Sequence, residues 1–111
     1  MPSSQSAPKS ITIITVFSVA PENQQQLIDL LAKSAQSLIP LAPGFRSTRI
    51  YRSLDGTKVT ASTQWRSLRD YQAVRDNAAA APFMQQLLEI ATFEPGAYEV
   101  VETFIGQQAS G

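Results

Sequence analysis

Residues Ile11 to Val19 alternate with apolar side chains on both sides of the chain. Ile11, Ile13, Thr15, Phe17 and Val19 fall on one face, and Thr12, Ile14, Val16 and Ser18 on the other. β-Branched residues at a period of two make a strand, and apolar groups on both faces need cover from both directions. Such a strand belongs in the middle of a sheet, with helices on one side and a further layer on the other.

The segments that follow supply the rest of that sheet. Pro21 suits a first helical position, Glu22 sits near the positive end of the helix dipole, and Leu27, Leu30, Leu31, Ser34, Ala35 and Leu38 recur at helical spacing. Pro40 and Pro43-Gly44 end that helix. A second strand, Phe45 to Arg52, meets the turn signal Asp55-Gly56 and pairs as a hairpin with a third, Lys58 to Trp65. Ser67 with Asp70 three residues on resembles a capping box, opening a helix that carries Leu68, Tyr71 and Val74. The run Asn77-Ala-Ala-Ala-Ala-Pro82 reads as a break, and Phe83 to Ala91 as a second helical piece. After Pro95-Gly96 the alternation of Ala97 to Ile105 predicts a final strand.

The order is βαββαβ. With right-handed crossovers it predicts an α+β, ferredoxin-like fold: a four-stranded antiparallel sheet with the helices on one face. The domain spans 11–105, between a Ser/Pro-rich flexible arm at 1–10 and a flexible tail at 106–111. Ile14, Val16, Ile50, Val101 and Ile105 share one alternation phase, whereas Phe17, Tyr51, Trp65 and Phe104 lie on others. No assignment therefore leaves the open sheet face wholly polar, and a homodimer through that face is expected. A hydrophobic share of 43% against only 16% charged residues points the same way.

Composition excludes several chemistries. The chain has neither Cys nor His, which removes disulfides, thiolate catalysis, Cys-based metal sites and every His-based general base. Formal net charge is zero, yet seven of the nine basic residues (Arg46, Arg49, Arg52, Lys58, Arg66, Arg69, Arg75) crowd the middle third. They do not form one stripe on strand alternation, so no nucleic-acid partner is expected. A βαββαβ order also serves RNA recognition, but Lys58 to Gln64 carries no aromatic for base stacking. With neither an apolar span nor a signal peptide legible, a cytoplasmic protein without membrane contact is expected.

The candidate site is the corner Lys58-Val-Thr-Ala-Ser-Thr-Gln-Trp65-Arg-Ser-Leu-Arg-Asp-Tyr71, where the lone tryptophan ends a strand and a tyrosine arrives on the next helix. Two rings and a phenol can converge there on one cavity, or can pack as core, with the indole N–H held by a backbone carbonyl. Tyr51 and Tyr98 read first as cross-strand aromatics.

Pro43-Gly44-Phe45 opening the second strand, Gln64-Trp65 closing the third and Tyr71 in the next helix resemble the antibiotic biosynthesis monooxygenase domain, over roughly Ile11 to Phe104. The resemblance implies a dimeric α/β-barrel of two ferredoxin-like subunits, bacterial and cytoplasmic. It further implies oxidation of a small aromatic, phenolic or quinol substrate by molecular oxygen, with no metal, flavin or nicotinamide. Carried over by residue, Trp65 lines the cavity and Tyr71 hydrogen-bonds the substrate, as the catalytic pair. Tyr51, Thr63, Gln64 and Gln86 are the expected substrate contacts. The chain departs from the family pattern at Ala61, where catalytic members often carry Asn, and at Gln85-Gln86, where they can carry Arg. Without His it lacks the axial ligand of haem-degrading members. The alternative is a non-catalytic dimeric barrel that binds a small molecule or serves in stress or assembly.

Overall fold

The computed structural model describes residues 10–107, so the terminal segments expected to be flexible fall almost wholly outside the described residues. Strand β1 (Ile11–Val19) is followed by helix α1 (Gln24–Leu38), strands β2 (Phe45–Arg52) and β3 (Lys58–Trp65), helices α2 (Leu68–Arg75) and α3 (Ala81–Ile90), and strand β4 (Ala91–Tyr98). The sheet order is β2-β3-β1-β4 and every pairing is antiparallel. The apolar strand β1 therefore lies in the centre, as its two-faced pattern requires.

Two linked clusters fill the space between sheet and helices. Phe17, Val19, Leu27, Leu31, Val59, Leu87 and Ala91 form one, with Leu27 and Val59 fully buried. Ile13, Ala42, Trp65 and Val74 form the other. All three helices thus pack on the face that carries Ile13, Phe17 and Val19. On the opposite face Ile14 and Val16 are only half-buried. The amide of Gln24 pins α1 to the hairpin, donating from Nε2 to the carbonyls of Ser53 (3.2 Å) and Lys58 (3.0 Å).

Three expectations are corrected. The final strand runs from Ala91 to Tyr98 rather than from Ala97 to Ile105, and it passes straight through Pro95-Gly96. β4 is an edge strand, where a residue without an N–H can sit with its missing donor turned outward. Gly96 leaves room for the Tyr98 ring, whose Cε1 would stand 2.7 Å from a β-carbon there. Glu99 to Gln107 follow without regular structure, exposed to solvent. The break between the helical pieces is present but shorter than expected: α2 ends at Arg75, Asn77 Oδ1 accepts from the Ala79 N–H at 2.8 Å to cap a 3-10 turn over Ala78–Ala80, and α3 starts at Ala81 rather than Phe83, with Pro82 in its first turn. Finally, Ile50 faces the helices with Phe17 and Trp65 rather than sharing a face with Ile14 and Val16. A bulge between Phe45 and Ser47 resets the alternation of β2.

The approach to β2 depends on one glycine. Gly44 has φ +90, its carbonyl accepts from the Arg66 N–H at 2.7 Å, and a β-carbon at its position would lie 2.3 Å from Asp70 Oδ2. Gly56, at φ +84, would meet nothing closer than 3.4 Å. Gly44→Ala is expected to cost about 2–3 kcal/mol, combining a strained dihedral with displacement of Asp70, against about 1 kcal/mol for Gly56→Ala. Urea unfolding of the two variants checks the ranking; equal losses would contradict it.

Candidate active site

The cavity of interest follows from where small side chains fall. α1 crosses the inner face of β2 and β3, and there it presents Ser34 and Ala35 toward Ala61 of β3. Small groups on both walls keep the layers from closing and leave a cavity of about 160 Å³. Leu31 and Leu38 of α1, Thr48 and Ile50 of β2, Thr63 and Trp65 of β3 and Val74 of α2 complete most of its wall. Among the described residues no Asp, Glu, Lys, Arg or Tyr lines it.

Trp65 owes its position to the corner between β3 and α2. Its Cα pairs with Ile11 on one side and Phe45 on the other. The next residues are fastened at once: Ser67 Oγ accepts from the Asp70 N–H at 3.2 Å, capping α2, and Arg66 Nε meets Asp70 Oδ2 at 2.8 Å. The Arg66 guanidinium, with the Ser67 hydroxyl, holds the Asp70 carboxyl below the usual carboxylate range, and Asp70 in turn raises Arg66. Phe45 and Tyr71 clamp the indole edge-on, at centroid distances of 5.6 and 5.9 Å. Arg75 lies over the Tyr71 ring at 5.8 Å.

The indole N–H is the one buried side-chain polar atom without a hydrogen-bond partner among the described residues. Trp65 is 5% exposed, so water does not freely satisfy it. An unmet buried donor costs about 1–3 kcal/mol and calls for an explanation. Trp65 is also one of the residues that line the cavity. A second polar feature stands on the same wall: Thr48 Oγ1 and Thr63 Oγ1 are 2.9 Å apart across β2 and β3. One hydrogen shared between two hydroxyls leaves the pair a further donor and free lone pairs. Ser34 is committed elsewhere, its Oγ donating to the Leu31 carbonyl at 2.9 Å.

Of the residues singled out in the sequence, the structure brings Trp65 and Thr63 to the cavity. Tyr71 stands behind Trp65, in ring contact with it and outside the cavity wall. Gln64 pairs with Thr12 and points to the opposite face of the sheet, because strand neighbours alternate. Tyr51 shares that face, one residue out of phase with Ile50. Gln86 lines a separate groove between α1 and α3, beside Asp29 and Lys33. Thr48 and Ile50 were missed. Their spacing of two was visible in the sequence, but the bulge that joins them to Phe45 on one face was not. Among the described residues no group of acidic side chains gathers in a way that could hold a metal ion.

A ferredoxin-like domain with an aromatic-walled cavity between its helices and its sheet is thus the class that fold and site define. The antibiotic biosynthesis monooxygenase family model matches residues 10–86. The tetracenomycin-F1 monooxygenase of Streptomyces glaucescens is 34% identical over 98 residues, 88% of either chain. The chain belongs to the antibiotic biosynthesis monooxygenase family. Among solved structures, the ActVA-Orf6 monooxygenase of Streptomyces coelicolor, in complex with Nanaomycin D, superposes with a TM-score of 0.78 at 22% identity, over 90% of this chain and 95% of that one. SnoaB, a cofactor-independent oxygenase from Streptomyces nogalater, gives 0.76 at 19% identity, over 86% and 96%. At these identities the two show a shared fold.

If the indole is a cavity wall with an unmet donor, removing that donor harms the fold little. Trp65→Phe is expected to cost less than about 2 kcal/mol, whereas Trp65→Ala should cost about 3–5 kcal/mol by emptying the space between Phe45 and Tyr71. Denaturant melts of the two variants decide it; a Phe variant as unstable as the Ala variant would make Trp65 an ordinary core residue.

Proposed function

We propose that the protein is a cofactor-independent monooxygenase acting on a small, planar aromatic substrate of phenolic, anthrone or quinol type, working as a homodimer packed through its open sheet faces. The observation that carries the reading is a largely apolar cavity walled in part by Trp65, whose buried indole N–H has no partner among the described residues. A flat aromatic with one or two oxygens matches both the apolar wall and the few donors set into it. The family membership and the tetracenomycin-F1 monooxygenase relative support oxygenation as the reaction class. The Streptomyces relatives support a bacterial setting.

The chemistry asks little of the protein beyond this cavity. An electron-rich substrate that loses a proton becomes an anion able to pass electrons to oxygen. For an anthrone-type methylene, two hydrogens leave and one oxygen atom enters as a carbonyl, while the other oxygen atom departs as water. The substrate is thus the sole reductant. Trp65 would donate to the developing oxyanion, where a fixed donor in a dry site is worth most. The Thr48–Thr63 hydroxyl pair would hold a second oxygen and set the ring's orientation. Tyr71 and Phe45 would keep the indole from turning. With Ala61 in place of Asn and no ionisable group on the wall among the described residues, the cavity offers no general base, and the proton would go to solvent as the substrate enters.

That has a readable consequence. kcat/KM should rise with pH through the pKa of the substrate itself and then level off, without the bell shape that an acid–base pair on the enzyme produces. Oxygen uptake by metal-free protein, measured over a series of anthrones and quinols of different acidity, tests the reading. The midpoint should track each substrate, and Trp65→Phe should lose about 10- to 100-fold in rate. A midpoint that stays fixed across the series would reveal an enzyme base. No uptake with any substrate would move the reading to a non-catalytic barrel that binds the same class of ligand, a choice the missing Asn and Arg would then explain.

A further inference from the structure

The cavity has a definite length as well as a chemistry. Leu31, Ser34, Ala35 and Leu38 of α1 run large, small, small, large along its helical wall. Leu31 belongs to the hydrophobic cluster of Leu27 and Val59, and Leu38 packs against the cluster of Trp65 and Val74. Each cluster thus closes one end of the cavity. Between the two leucine backbones, seven helical rises amount to about 10 Å. The leucine side chains, and contact distances of about 3.5–4.0 Å at either end, leave room along the helix for one aromatic ring.

Volume gives the same answer. The cavity measures about 160 Å³, close to the roughly 150 Å³ that houses a single benzene in an engineered protein core. Two fused rings would not lie wholly inside it. The floor under one ring is Ala61 and Thr63 of β3 with Thr48 of β2 beside them, and the Thr48–Thr63 hydroxyl pair is its polar spot. Ile39 on the wall is itself exposed, so the cavity opens to solvent and a further ring can stand outside.

We infer that the site takes a single oxygenated ring. Its substrate class is a one-ring phenol or quinol, or a larger molecule that offers such a ring at its end, and Leu31 and Leu38 set the limit. This rests on the oxygenase reading of the preceding subsection and narrows it. An anthrone carries its reactive methylene on the middle of three rings, which would be left at the mouth, whereas a quinol ring is seated whole. For a quinol the reaction balances with one oxygen molecule. One oxygen atom is inserted at a ring C–H as a new hydroxyl, the two quinol O–H hydrogens leave with the other as water, and the product is a hydroxyquinone. The quinol supplies all four electrons.

Equilibrium dialysis of the full chain against phenol, 2-naphthol and 2-anthrol, without oxygen, provides the test. A site that buried every ring would tighten about tenfold with each one added. Here the three dissociation constants should agree within about threefold, and a tenfold gain per ring in the wild type would overturn the limit. Leu38→Ala should restore the step between phenol and 2-naphthol; constants as level as in wild type would remove Leu38 as a stop. Ala35→Leu, which adds three carbons to the slot, should weaken phenol by about tenfold or more, and unchanged binding would place the site elsewhere. Oxygen uptake reads the catalytic proposal separately. One-ring quinols should be consumed faster than anthrones, and the reverse order at matched acidity would overturn the narrowing alone. No uptake, with the three constants still level, would remove the oxygenase reading and leave the one-ring site standing.

Discussion

The packing of α1 across β1 and β3 decides what the rest of the molecule can do. Leu27 and Val59 are completely buried in that seam, with Phe17 and Leu31 around them. Emptying the Leu27 position would cost about 2–5 kcal/mol, a large part of the stability of a domain of this size. Once α1 is anchored there, its next turns must pass over β2 and β3. On those turns Ser34 and Ala35 face Ala61, and the layers do not close. The cavity is thus a consequence of where the large and small residues of one helix fall, and it needs no special loop or lid.

The polar features of the cavity come from the sheet rather than the helix. Strand alternation turns Ala61, Thr63 and Trp65 inward together, and the hairpin register sets Thr48 opposite Thr63. The bulge after Phe45 lets both Phe45 and Thr48 face the same way, so that one strand braces the indole and also supplies a hydroxyl. The Gly44 turn and the Arg66–Asp70 pair hold the corner from outside. Every ionised group in this arrangement is structural and peripheral. The cavity itself stays uncharged, which suits a reaction whose charge should appear on the substrate alone.

Much of this was legible from residues. The two-faced pattern of Ile11–Val19 placed β1 in the centre, the Asp55-Gly56 signal made the hairpin, and Ser67 with Asp70 marked the start of α2. At that corner Trp65 lines the cavity, while Tyr71 stands behind it and outside the wall. The failures share a cause, in that local signals were read without the sheet position that overrides them. Pro95-Gly96 has the composition of a turn, yet on an edge strand neither residue interrupts pairing with β1. Alternation alone could not assign Ile50 or Tyr51 to a face, since a bulge in β2 shifts the count by one and leaves no mark in composition, whereas Gln64, next to Trp65 on unbroken β3, follows alternation to the opposite face. Gln86 is separated from the cavity because α3 covers the β1–β4 half of the sheet, a fact of packing rather than of pattern.

The chain has a single tryptophan, so its indole N–H gives one resolved signal in a proton–nitrogen correlation spectrum. The most direct measurement is to follow that signal while a non-oxidisable polycyclic phenol is titrated in without oxygen. If a ligand oxygen meets the unpartnered donor of Trp65, the indole peak should move downfield and saturate with the binding curve, and the Thr48 and Thr63 amides should shift along with it. A ligand that binds while the indole peak stays in place would show that the donor is not part of the site.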